Sequence, residues 1–198
     1  MKNRFFRQFG GPKILLCIIC LVLAKICTAQ ANFLKTENGV VEFTSDAPLE
    51  LINARSESLR GILDLNQNTF AFSIDMQTFE GFNSDLQRTH FNENYIESRI
   101  YPRATFTGKI IERIDWTSEG LTDVRAKGFL EIHGVKQERI IASRVEIFTD
   151  RVLIEAEFTV PIKDHNISIP KIVAQKISEK ITVSIELRML RNQSSVEE

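Results

Sequence analysis

The chain has 198 residues, 43% hydrophobic and 26% charged, a globular balance that excludes a wholly disordered or collagen-like polymer. Its formal charge of −1 conceals an asymmetry: five bases and no acid fall in the first 29 positions, so the remainder carries −6, the wrong sign for a nucleic-acid binder that neutralises phosphates. All three cysteines (Cys17, Cys20 and Cys27) lie in those 29 positions, so the rest of the chain has no disulfide scaffold, thiolate metal site or cysteine nucleophile.

Positions 1–29 read as a secretory signal peptide. Bases precede an apolar run from Ile14 to Ala24, and the segment ends in Cys27-Thr28-Ala29. A basic start, a short apolar stretch and small residues before the cut describe an export signal. The run is well short of the roughly 20 apolar residues of a membrane-spanning helix. Cleavage is expected after Ala29, with Ala31 the next choice. Residues before Cys20 and Cys27 lack the small side chains that lipid-anchor processing requires, so a lipoprotein is disfavoured. The exported chain then has no transmembrane span and a localisation that is periplasmic or secreted.

The body, residues 30–190, alternates with period two. Phe70, Phe72, Ile74 and Met76 share one face of Thr69–Met76. Ala104, Phe106, Gly108 and Ile110 do the same in the next segment. Val124, Ala126, Gly128, Leu130 and Ile132 follow, then Val152 to Val160 and Ile181 to Met189. Successive strand side chains point to opposite faces, so each segment is a half-buried strand. Weaker strands are expected at Gly39–Ser45, Leu49–Ser56, Leu59–Leu65 and Glu138–Phe148. Hairpin turns fall at Asn66-Gln67-Asn68 and Thr149-Asp150. One-sided burial favours antiparallel pairing. Ser84–Ser98 breaks the pattern: a capping serine precedes Leu86, His90, Phe91 and Tyr95 at helical spacing. Pro170–Lys180 is expected to begin a second short helix at proline. The tail, residues 191–198, is polar.

The expected fold is all-β, an antiparallel closed barrel of about eight strands with one or two short helices. Its inward faces mix large residues with Ala104, Gly108, Ala126, Gly128 and Ala156. These small residues either leave a lined cavity or let strands bend and neighbours approach.

Two segments resemble the YceI-like family. Gln87–Phe106 (QRTHFNENYIESRIYPRATF) is similar to its polar-aromatic stretch ending in Tyr-Pro before a Phe-bearing strand. Gly128–Lys136 (GFLEIHGVK) resembles its Gly-x-Leu-x-Ile-x-Gly-Val block. The resemblance covers roughly Thr36 to Leu190 and implies a lipocalin-like barrel that holds an isoprenoid or related amphipathic lipid. The chain departs from the family at its opening, where Gly39-Val40-Val41-Glu42-Phe43 replaces the Trp and His-Ser pair. It departs again at Val160–His165, where an Arg-x-x-Phe-Gly region is expected. It reads as a shortened branch.

Residues expected to line an apolar ligand are Phe70, Phe72, Ile74, Phe106, Leu130, Phe158 and Ile185. Arg88, Arg99 and Arg103, with Lys136, form a candidate basic rim for a headgroup; the competing reading pairs them with Glu93, Glu97 and Glu138 on the surface. His90, Glu93 and Glu97 are spaced to meet on a helical face, but the ligand count is short for a metal. His133, before Gly134, reads as a turn residue, and His165 lies in a loop. No nucleophile elbow, phosphate loop, dinucleotide fingerprint or His-Glu-x-x-His motif occurs, so neither catalytic residues nor a cofactor are expected. Two sequons, at Asn166 and Asn192, are idle in a bacterial protein. Trp116 is the single tryptophan and the natural fluorescent reporter. The alternatives to a lipid carrier are an interaction module with a filled barrel, and a metal-dependent enzyme using His90.

Overall fold

A computed structural model describes residues 32–191. The signal peptide expected at 1–29 and the tail from 192 onwards lie outside the described residues. Eight antiparallel strands follow one another around a closed barrel: β1 (Phe33–Ala47), β2 (Glu50–Asp64), β3 (Thr69–Asp75), β4 (Arg103–Ile110), β5 (Gly120–Ile132), β6 (Val135–Ile147), β7 (Arg151–Pro161) and β8 (Lys180–Arg191). Closure comes from β1 pairing with β8, for example Val41 opposite Ile185. Every strand pairs with its sequence neighbours in an up-and-down meander, and closure leaves no edge.

The five strongly alternating segments are strands with the expected inward sets. The two weak segments Leu49–Ser56 and Leu59–Leu65 are one strand, β2. Their separation in the sequence has a physical cause. Inward residues of β2 are Ile52, Ala54 and Ser56, then Leu59 and Leu63, so the parity flips after Ser56. On β1 the inward set changes from Leu34 and Thr36 to Gly39 and Val41. Register shifts between Thr36/Gly39 and Gly39/Val41 place a bulge on each strand. An extra residue reverses the facing of everything beyond it and bends the strand. Gly39 sits between the two bulges, where a Cβ would come within 2.5 Å of Leu187.

The long β3–β4 connection holds α1 (Asp85–His90), the single α-helix among the described residues, which continues into a wider turn at Phe91–Tyr95. Ser84 caps it, its hydroxyl accepting from the Gln87 N–H at 3.2 Å. Pro170 starts only a single tight turn at Lys171–Val173, so the expected second helix is shorter than read: Ile177 faces the cavity while Ile172 is exposed, and no continuous apolar helical face forms. Among the described residues, no helix is long and apolar enough to cross a membrane.

The end of the barrel where β1 begins and β8 ends is closed by side chains. Leu34, Leu63, Leu65, Val152 and Met189 are buried there with Trp116. The Trp116 indole N–H donates to Asn68 Oδ1 at 2.8 Å, and the Arg191 guanidinium donates to the Trp116 carbonyl. Arg191, read as the first residue of the tail, is thereby the last residue of β8.

Candidate functional site

Above this floor the inward faces enclose a cavity of about 260 Å³. The barrel is therefore not filled, as the interaction-module reading required. Phe70, Phe72, Ile74, Phe106, Leu130, Phe158 and Ile185 all stand in its wall. They come from five strands, β3, β4, β5, β7 and β8, which the closed register brings around one axis. Phe70 packs on Phe72 and Phe106 with ring centroids 5.5 and 4.9 Å away. Trp116 is not part of the wall.

The small residues divide into two groups. Ala104, Ala126 and Ala156 line the cavity and give it width. Gly108 and Gly128 do something else: they face each other across β4 and β5. A Cβ on Gly108 would lie 2.1 Å from the Lys127 carbonyl oxygen, and one on Gly128 would lie 2.3 Å from that of Thr107. These glycines permit close approach of two backbones.

At the other end the wall is aromatic. Phe43, Phe79, Phe82 and Phe91 form a cluster with centroid separations of 5.1 to 6.0 Å. The Phe43 and Phe91 rings stack at 5.3 Å. Phe79 and Phe82 lie in the irregular β3–β4 connection, where no alternation marks them as inward. Ile162, Ile167 and Ile177, from the β7–β8 connection, complete this end.

Among the described residues no charged side chain lines the cavity; the polar ones are Ser45, Ser73, Gln87, Tyr95, Thr105 and Ser143. Ser45, Gln87 and Tyr95 sit at the loop end. Ser45 Oγ accepts from the Ser178 N–H at 2.9 Å, and Gln87 Nε2 donates to Glu50 Oε1 at 2.9 Å. Burial holds the Tyr95 phenol above its ordinary pKa. A charged group entering the barrel would lose its hydration and meet no counter-charge. Water inside would find few polar partners. The cavity therefore suits hydrocarbon.

Arg88, Arg99 and Arg103, expected at its rim, are not among the residues of the cavity wall. The Arg88 guanidinium donates to the Gln77 carbonyl at 3.1 Å and lies 3.9 Å from Glu80. Arg103 borders a separate shallow depression with Tyr101 and Glu131. Lys136 is 3.6 Å from Glu131, and Lys127 is 3.1 Å from Glu138. Surface pairing holds for Arg88, but with Glu80 rather than Glu93 or Glu97.

The His90–Glu93–Glu97 trio is not assembled. Glu97 turns to His133, its Oε2 2.7 Å from Nε2, and among the described residues no three His, Cys, Asp or Glu side chains converge on a metal position. His133 Nδ1 lies 3.0 Å from the His165 carbonyl. His133 thus joins the β3–β4 connection to the β7–β8 connection, a long-range role that its place beside Gly134 concealed. Gly134 itself has φ +70°, and the Tyr101 ring covers it. His165, read as an idle loop residue, is fully buried. Its Nδ1–H donates to the Val135 carbonyl at 3.1 Å, and burial lowers its pKa. Nearby, Arg139 pairs with Asp164 at 2.7 Å and Gln137 Nε2 donates to the Asp164 carbonyl at 2.7 Å. Together these contacts anchor the loops that carry Ile96, Ile162 and Ile167 to the barrel.

Residues 33–189 match the model of the YceI-like domain. Among solved structures the chain is similar to a polyisoprenoid-binding domain from Saccharophagus degradans implicated in plant cell wall breakdown. The two are 14% identical with a TM-score of 0.68, covering 82% of this chain and 99% of that one. Burkholderia cenocepacia BcnA is 13% identical with a TM-score of 0.64, over 76% of this chain and 95% of its own. A Campylobacter jejuni YCEI protein is 18% identical with a TM-score of 0.50, over 64% and 75%. At these identities the likeness is one of fold. No curated protein matches the chain.

Proposed function

The chain belongs to the YceI-like family, and from that premise we propose that it is an exported, non-catalytic carrier of an isoprenoid or another amphipathic lipid. The observation that carries the reading is the chemistry of the wall: a cavity built from aliphatic and phenylalanine side chains, with no charge in it. Such a surface recognises hydrocarbon by removing it from water. Each roughly 100 Å² of apolar ligand surface covered contributes about 2.5 kcal/mol before ordering losses. A chain of several isoprene units has ample surface for this. The Saccharophagus degradans domain, described as polyisoprenoid binding, supports isoprenoid cargo.

In this reading the hydrocarbon lies among Phe70, Phe72, Ile74, Phe106, Leu130, Phe158 and Ile185. The polar head stays at the edge made by Ser45, Gln87 and Tyr95 rather than at an arginine rim. Export rests on the signal peptide read at 1–29, with a periplasmic or secreted destination. The test is organic extraction of the protein purified without detergent from its own host, followed by lipid analysis. Stoichiometric isoprenoid or lipid is expected; an extract free of lipid contradicts the proposal.

A further inference from the structure

The β7–β8 connection has two faces. Ile167 and Ile177, near its ends, line the cavity. Between them Ile172 is 92% exposed on the turn Lys171–Val173. From Asn166 to Ser178 there is no acid, and Lys171 and Lys176 are both exposed. The loop is held in place rather than free. Leu49 N–H donates to the Gln175 carbonyl at 2.9 Å, and Ser178 N–H donates to Ser45 Oγ. Leu49 is itself 66% exposed, and so is Leu86 at 63%, on the helix whose Gln87 bonds Glu50. Three stitched segments at the loop end of the cavity therefore each present an exposed aliphatic side chain.

We propose that this end docks on a lipid bilayer bearing anionic headgroups, with Ile172 entering the interface and Lys171 and Lys176 on the phosphates. An exposed aliphatic tip flanked by lysines is the chemistry of an interfacial anchor. Acids of the neighbouring segments, Asp46, Glu50, Asp85 and Glu179, lie outside the loop, which leaves the loop itself purely basic. Docking there places the cavity's aromatic end against the bilayer, where a lipid can pass without crossing water. The inference rests on the carrier reading and names the surface from which the cargo comes.

The test uses protein purified from its own host, with its N-terminus as the host leaves it. Sedimentation is measured with vesicles of phosphatidylglycerol and phosphatidylethanolamine, and with phosphatidylcholine alone, at low and high salt. Binding is expected to the anionic vesicles and to weaken with salt. The double variant Lys171→Glu, Lys176→Glu is expected to lose it by ten-fold or more, and Ile172→Asp by a similar factor. These side chains are exposed, so thermal melts should be unchanged. Equal binding by variants and parent, equal binding to both vesicle types, or retention by a protein partner without vesicle binding overturns the proposal. Lipid analysis of the same preparations separates the two readings. Bound lipid with no loop-dependent docking sinks this inference alone. An empty cavity with intact docking sinks the carrier reading.

Discussion

His133 Nε2 stands 2.7 Å from Glu97 Oε2, while the opposite ring nitrogen stands 3.0 Å from the His165 carbonyl. Each ring nitrogen thus faces an oxygen from a different connection. One side chain on the β5–β6 turn thereby fastens two connections that wall the cavity. His133→Ala removes both bonds and leaves the turn's partners unpaired. A loss of about 1–3 kcal/mol is expected, seen as a melting temperature several degrees lower. Lipid content should fall with it, because Ile96 and Ile167 lose their anchorage. An unchanged melt would show that the two bonds hold nothing.

Ala126 and Ala156 test whether the cavity is space for a ligand. Enlarging a packed core residue costs about 1–3 kcal/mol. Side chains that grow into a vacancy escape most of that cost. The double variant Ala126→Leu, Ala156→Leu is expected to fold with a stability close to the parent's in urea titration. It should carry much less extractable lipid. Full lipid occupancy in the variant would place the ligand elsewhere.

Gly108 and Gly128 were legible as small inward residues, but not as a facing pair. Only the register reveals that Gly108→Ala would drive a Cβ to 2.1 Å from the Lys127 carbonyl oxygen. Backbone cannot yield as a flexible side chain does. Destabilisation at or beyond the upper end of the ~1–3 kcal/mol overpacking range is expected, while Ala104→Gly, on the cavity wall, should cost about 1 kcal/mol or less. Denaturant unfolding of the two variants checks the contrast; equal losses contradict it.

Acid should act in two stages. Burial lowers the His165 pKa from 6.5, so the folded state disfavours the charged ring. Stability from this group is complete above about pH 6.5 and is lost as pH falls below it. Asp115 is held at about 2 by hydrogen bonds from Ser118 and Thr117. Its contribution is present above the ordinary carboxylate range and is lost as pH falls from 4 through about 2. Melting temperature against pH should therefore decline first below 6.5 and again below 4. His165→Asn, which keeps a donor for Val135, should abolish the first decline; an unaltered profile would contradict this assignment.

The barrel was readable because alternation is a local consequence of strand geometry. Phe70, Phe72, Phe106 and Phe158 announce their facing by their neighbours. The same rule explains the failures. Bulges on β1 and β2 reverse parity, so β2 read as two strands. Phe79 and Phe82 reach the cavity from irregular backbone, which has no period. Arg88, Arg99 and Arg103 were grouped by sequence proximity, yet they fall on three different elements, a helix, a turn and the start of β4. His133 and His165 acquire meaning only from partners 30 or more residues away.

The central claim is that the interior shelters a lipid. Native mass spectrometry of the protein, purified without detergent from its own host, tests it most directly. The account predicts a population heavier than the polypeptide by the mass of one lipid, which collapses to the bare chain on activation or in the Ala126→Leu, Ala156→Leu variant. A spectrum of bare polypeptide alone, unaltered after incubation with polyprenyl lipids, would contradict it.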